Sequence, residues 1–393
     1  MLLPLSQMTA TIALTDRWTL GAIEESIRQI ADSNGAPVQL QKDFVGRRKG
    51  AMHDAARLQM LATWARRAEQ RQVFYHEANT AANVLAELCE YAPGITLLRL
   101  ADEVVVGDSH TRRRDALVPA AERMTATDSG AWERVIRGRT IDFSCVSGSR
   151  VQYLRPLFSS RQNTAVRAKD GMYETLRSLS RFVAKQDADA IPGDFLEACG
   201  IFASELLKNT QQHATSDLHN EDYLAHVEGL IISWHELDAN SYKADFQGHP
   251  RLREFWQREE IRVRGGQKAA VRCLQLSFFD TGPGLACRFS AKSLDELSLE
   301  QERAVLLAAL RKNATSKREV GAGQGFPEVL EALRDAGGLV ALRSGRLRIF
   351  NVFSQDAFDQ RDELDLFRFD DWTPEPLGSV EGAVVSLLIP IRR

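Results

Sequence analysis

No stretch of the 393-residue chain stays apolar for the roughly 18 residues that a membrane-crossing helix needs. The opening, MLLPLSQMTATIAL, has neither a basic start nor a long apolar core, so no secretory signal is expected and the cytoplasm is the default location. Cysteine is scarce and scattered: Cys89, Cys145, Cys199, Cys273 and Cys287 are odd in number and never in CxxC spacing. That pattern suggests neither a disulfide framework nor a zinc site and leaves reduced, mostly buried thiols. An excess of one charge is missing as well. The net charge of −3 divides into +4 over residues 1–190 and −7 over 191–393, which demands no polyanionic partner, so nucleic acid is not indicated. Arg47-Arg48-Lys49 and Arg112-Arg113-Arg114 are basic knots that could touch phosphate, but in clusters this short solvated loops weigh more.

What is there fits a globular chain, 44% apolar and 26% charged, long enough for two or three domains. Strands are expected at Thr11–Leu14, Pro37–Leu40, Gln72–Tyr75 and Ile95–Leu100, and helices at Leu20–Ala31, Ala51–Arg71 and Ala81–Tyr91, the last stopped by Pro93-Gly94. Residues 1–115 therefore read as an α/β domain. Residues 116–190 read as a helical connector, with a short helix at Ala131–Ile136, a mixed stretch at Ile141–Leu157 and the stripe Met172, Leu176, Leu179, Val183. That stripe can pack on its own chain or on a second copy. His76-Glu77-Ala78-Asn79-Thr80 has the order of a phospho-acceptor box, but it follows the β-type run Gln-Val-Phe-Tyr, and a histidine at a strand end is the simpler reading.

Chemistry-bearing residues concentrate in 191–393. In ELLKNTQQHA, Glu205, Asn209 and His213 fall four apart and stack on one helix face. Phe195, Cys199, Phe202 and Leu206 form a separate apolar stripe on the same helix. Alone, the polar line fits a solvated face as well as it fits a site. A strand over Val271–Phe279 runs into Asp280-Thr281-Gly282-Pro283-Gly284, where a carboxylate leaves a buried strand beside glycines that permit a tight turn. Gly321-Ala322-Gly323-Gln324-Gly325 then opens a helix with the stripe Phe326, Val329, Leu330, Leu333, ended by Gly337-Gly338. Glycines at a helix start let an anion approach free N–H groups. The spacing is neither that of a P-loop nor that of a dinucleotide fingerprint. A strand at Val227–Trp234, a hairpin around Ser344-Gly345 and a strand at Gly382–Pro390 complete the half, with Asp238–Lys268 as an added surface element.

In this order the three segments resemble the N box and the two glycine boxes of the GHKL, or Bergerat-fold, ATPases, whose members include histidine kinases and anti-sigma-factor kinases. The order and size of the first 115 residues are similar to a STAS-type domain. The resemblance implies an α+β chain: a C-terminal Bergerat-type α/β sandwich over 191–393, with helices on one face of a mixed sheet, joined to a STAS-like domain (1–115) by the connector (116–190). It implies ATP and Mg²⁺ as cofactors. Asn209 would hold the metal and Glu205 would act as general base. Asp280 would accept from the adenine amino group, Gly282 and Gly284 would let the nucleotide lie close, and Gly321, Gly323, Gln324 and Gly325 would line the phosphates. Ser316 and Lys317 would reach from a lid over 285–320, and His213 would either assist near the phosphates or make a structural hydrogen bond.

The expected activity is slow ATP hydrolysis, with a nucleotide-ordered lid that switches contact with a protein partner through the N-terminal domain or with a second protomer. Two alternatives stand beside it: a serine or histidine protein kinase of the anti-sigma type, and a non-catalytic nucleotide-sensing scaffold.

Overall fold

The computed structural model describes residues 11–14, 19–41, 44, 48–75, 80–149, 151–262, 269–311, 325–353 and 366–392. In the first part of the chain, β1 (Ile12–Ala13), α1 (Leu20–Asp32), β2 (Val38–Leu40), α2 (Ala51–Arg67), β3 (Gln72–Tyr75), α3 (Ala81–Cys89), α4 (Ala92–Leu100), β4 (Glu103–Val106), β5 (Ser109–Arg112) and α5 (Arg113–Ala116) follow one another. The five strands form a small mixed sheet in sequence order, parallel from β1 to β4 and closed by antiparallel β5. The β4–β5 hairpin turns at Gly107, whose φ of +58° suits glycine.

The expected strand at Ile95–Leu100 is instead α4. Pro93 sits in the first helical turn, where its missing N–H costs nothing, so Pro-Gly starts this helix rather than stopping the previous one. Gly94 is where α4 crosses the end of α3, because a Cβ there would overlap the Leu88 carbonyl oxygen. The expected helix over Ala51–Arg71 stops at Arg67, after which Gly35 O accepts from Glu69 N at 3.3 Å and draws the chain away.

The span expected as a helical connector holds α6 (Ala120–Asp128), α7 (Trp132–Val135) and α8 (Lys169–Ala184), but also β6 (Thr140–Val146). β6 is an edge of the second sheet. The remaining elements are α9 (Gly193–His213), β7 (Val227–Asp238), α10 (Ala239–Ser241), α11 (Pro250–Glu259), β8 (Ile261–Arg262), β9 (Ala269–Asp280), α12 (Leu285–Ser290), α13 (Leu299–Leu310), α14 (Gly325–Ala336), β10 (Leu339–Gly345), β11 (Leu347–Val352), β12 (Asp370–Asp371) and β13 (Val380–Pro390). The eight-stranded sheet runs β12-β11-β10-β13-β9-β7-β6, with β8 also on β9. Its described pairs are all antiparallel, not mixed.

Helices cover both faces of this sheet, not one. On one face lie α8, α9 and α14; α9 presents Phe202 edge-on to Phe278 of β9, ring centroids 5.3 Å apart. The other face receives α2, which packs on β13, β9 and β7. That face is built of small or polar side chains: Ser277 and Ser386 share a hydrogen bond of 2.7 Å, and Ser233 and Gln275 are fully buried. Those last two cap α2 from outside its own sequence, Ser233 Oγ accepting from Ala51 N at 2.8 Å and Gln275 Oε1 from Met52 N at 3.1 Å. A helix whose first amides are buried needs such acceptors. Gly50 makes room for them, since at its φ of +93° a Cβ would lie 2.8 Å from Gln275 Oε1.

Helix α2 is buried on every side from Ala51 to Ala65, and several of its polar side chains find partners within the fold. Gln59 donates to Arg343 O and Gly382 O, and Arg57 donates to Tyr91 OH at 2.7 Å, which in turn donates to Asp54. One cluster of buried apolar residues extends from Ile12 to Ile391. Buried ions tie the same halves together: Glu24 of α1 accepts from Arg343 at 2.8 Å and Arg348 at 3.0 Å. Asp142 of β6 accepts from Arg123 and from Ala92 N.

The stretch 238–262, expected as a surface addition, is part of this core. Phe246, Leu252 and Phe255 are fully buried, and Asp245 accepts from Leu20 N and meets the His53 ring, both at 2.8 Å. Its aromatic residues need cover, which Trp372 and α1 supply. No described helix is long and apolar enough to cross a membrane. All five cysteines are free and buried, and burial pushes their thiols up, Cys89 and Cys273 to about 12 and Cys287 to about 11. A thiol reagent is therefore expected to label the native chain only at the rate of unfolding; fast labelling of even one cysteine in the native state would contradict this burial.

Candidate functional site

Helix α9 carries the first motif as its sequence requires. Phe195, Cys199 and Phe202 are buried and Leu206 is half-buried against the core, so the line rotated from them faces outward. On that line Glu205 is half-buried, while Asn209 and His213 are exposed. His213 occupies the last turn of the helix.

The third motif meets the first at Glu205. Gly325 N, at the start of α14, donates to Glu205 Oε2 at 3.0 Å. Only glycine fits there, because a Cβ at 325 would lie 2.9 Å from Phe202 Cα and 3.1 Å from Glu205 Oε2. The second motif meets the other end of α9. A Cβ on Gly282 would lie 2.7 to 2.9 Å from Ala214, the residue that ends the helix. Three segments far apart in the chain are thus gathered along one helix, α9.

Asp280 ends β9, buried on the face that α9 covers. Its Oδ1 accepts from Gly282 N at 2.9 Å, closing the turn, and its Oδ2 accepts from Arg288 of α12 at 2.6 Å. Both oxygens have a partner, yet each keeps a second lone pair for a further donor. Gly284, at φ +88°, brings the chain against Ser344, whose Oγ accepts from Leu285 N at 2.9 Å.

Sequence reasoning missed a polar cluster beside Asp280. Glu228 of β7 stands opposite Asp280 in the ladder, fully buried, and accepts from Gln211 of α9. His226 Nε2 lies 3.9 Å from Glu228, and Thr281 Oγ1 accepts from Val227 N at 3.0 Å. Gln211 was not singled out either, because it lies between the polar line and the apolar stripe of α9 and is half-buried. Glu228 and Arg288 carried no signal, since Glu228 is brought to Asp280 by ladder register and Arg288 by the helix α12 that follows the turn.

Ser316, Lys317, Gly321, Gly323 and Gln324 lie outside the described residues, as do His76 and Arg47. No group of three His, Cys, Asp or Glu side chains poised for a metal occurs among the described residues. The exposed Asn209 amide, one turn from Glu205, offers a single neutral oxygen, which suits Mg²⁺ because that ion keeps its waters and draws its other ligands from phosphate. Comparison with protein-family models, curated proteins and solved structures finds no match to this chain.

Proposed function

We propose that the chain binds MgATP along α9 and hydrolyses it slowly, in the manner of the GHKL ATPases. The observation that carries this reading is the joining of Glu205 to Gly325 by one 3.0 Å hydrogen bond, with Gly282 packed against the end of the same helix. A helix N-terminus suited to an anion and a carboxylate suited to orient water stand side by side there, a pairing that can serve phosphoryl transfer to water. Glu205 would orient the attacking water and accept its proton, its geometry steadied by the Gly325 amide. Asn209 would supply a protein oxygen to Mg²⁺, which neutralises charge on the phosphates. Asp280, steadied by Arg288 and Gly282, would receive the adenine amino group on its remaining lone pairs. A nucleotide-ordered lid that switches contact with a protein partner or a second copy completes the reading.

The test is MgATP binding by calorimetry together with phosphate release. Wild type is expected to bind, and Asp280→Asn to bind at least tenfold more weakly, because the amide turns one acceptor into a donor facing Arg288. Equal affinity in the two chains removes Asp280 from the site. With labelled ATP, inorganic phosphate without labelled protein supports hydrolysis, while labelled protein favours the kinase alternative.

A further inference from the structure

A second polar cleft, of about 550 Å³, opens at the far end of β7, between the β6 turn at Arg137–Thr140 and the segment that enters α2. Trp234, which lines it, is six residues along β7 from Glu228, about 20 Å at roughly 3.3 Å per residue, so the cleft is separate from the nucleotide site. Its volume falls within the range of small-ligand sites, about 300–1,000 Å³.

The cleft has more cations than carboxylates to hold them. Arg48 and Arg123 share the one buried carboxylate of Asp142. Arg137 is held by Glu90 through a fork of 2.7 and 2.6 Å. Arg139 reaches Asp187 only at 3.4 Å, and otherwise donates to backbone carbonyls of Val183 and Ala184 at the end of α8. Its Nη1 makes no hydrogen bond to a described residue, and its Cζ lies 3.3 Å from the centroid of the Trp234 ring, which holds the guanidinium against the indole. Arg48 Nη1 and Trp234 Nε1 are buried donors with no hydrogen-bond acceptor among the described residues. Glu236 adds no free negative charge, being paired with Arg272 at 2.7 Å. His235 adds no positive one, because burial, then His53 and Lys49, lower its pKa to about 4.

We propose that this cleft binds a small oxyanion, the group that a phosphate or a carboxylate presents, between Arg137 and Arg139 beside Trp234. Planar guanidiniums held by packing and backbone contacts present N–H groups in the geometry that oxyanions accept. Glu90 occupies Arg137 when the ligand is absent and competes with it.

That competition gives the test a direction. Inorganic phosphate, and citrate in a parallel arm, are titrated at constant ionic strength while tryptophan fluorescence is followed, with Trp234→Phe as the control for the signal. Saturable binding is expected in the millimolar range or tighter, with the stronger arm naming the ligand chemistry. Arg137→Gln should weaken it at least fivefold. Glu90→Gln, which frees Arg137, should tighten it at least threefold, a gain that a purely structural ion pair would not produce. Because Glu90 and Arg137 line this cleft and not the nucleotide site, the two variants keep the outcome independent of that site. No saturable response to either anion at constant ionic strength, or a Glu90→Gln chain no tighter than wild type, overturns the proposal.

Discussion

Replacing Asp142 by alanine is expected to lower the stability of the fold by about 3–5 kcal/mol, read as a shift of the urea midpoint followed by circular dichroism. Asp142 is 4% exposed and accepts from Arg123 and Ala92 N, with Arg48 at 3.6 Å. Burial pushes its carboxyl up, but Arg48, Arg123 and the Ala92 amide together outweigh that and hold it below the usual carboxylate range. Alanine takes one acceptor from the Arg123 guanidinium and, among the described residues, its only one from the Ala92 amide, and removes the carboxylate charge beside Arg48; the cost of a buried unpaired charge is the larger part of the loss. An asparagine side chain would keep the shape and an acceptor for Ala92 N, so Asp142→Asn should fall between wild type and Asp142→Ala. Because the folded pKa is lowered, this contribution is present above the unfolded value of about 3.9 and disappears as the pH falls through the folded one. An Asp142→Ala midpoint within about 1 kcal/mol of wild type would show that the ion cluster is incidental.

The second large effect concerns Glu205. Glu205→Ala is expected to cut phosphate release by about 10²–10⁴-fold, the usual contribution of a general base, while leaving ATP affinity within a few fold. Alanine also deprives Gly325 N of its acceptor, so a loss of turnover by itself could come from a displaced α14. Glu205→Gln separates the two causes, because its amide oxygen can still accept from Gly325 N but its side chain cannot take a proton from water. The expected result is a Gln variant as stable as wild type that binds ATP and does not split it. Turnover in Glu205→Gln equal to wild type would end the hydrolytic reading.

Much of the architecture was readable from periodicity. The stripe of α8, the stripe of α9 and the β10–β11 hairpin at Ser344-Gly345 follow directly from spacing and turn chemistry. What misled was local. Pro93-Gly94 carries the same letters at a helix start as at a helix stop, and only the crossing of α3 by α4 decides between them. The second face of the large sheet was hidden because its polar residues, Gln275 and Ser277, look solvent-facing until a helix is placed over them. The same holds for 238–262, whose aromatics are surface or core depending on partners far along the chain. At the candidate site, the motif residues on α9 and β9 were legible because helical spacing and glycine turns are local. Arg288 and Glu228 were not, since ladder register and a helix after the turn bring them to Asp280.

Strand β13 has a consequence for how the chain is made. Although it is the last described strand, it lies between β10 and β9 in the middle of the large sheet and carries α2 on its face. The hydrogen bond from Glu381 N to Thr63 closes a loop of 318 residues. While the chain is being synthesised, α2 therefore has no finished floor to rest on until residues 380–390 have been made, and the early strands must wait with their apolar faces open. Contacts of such long sequence separation slow folding and prolong the exposure of sticky surface, so nascent chains should depend on chaperones far more than the finished fold does.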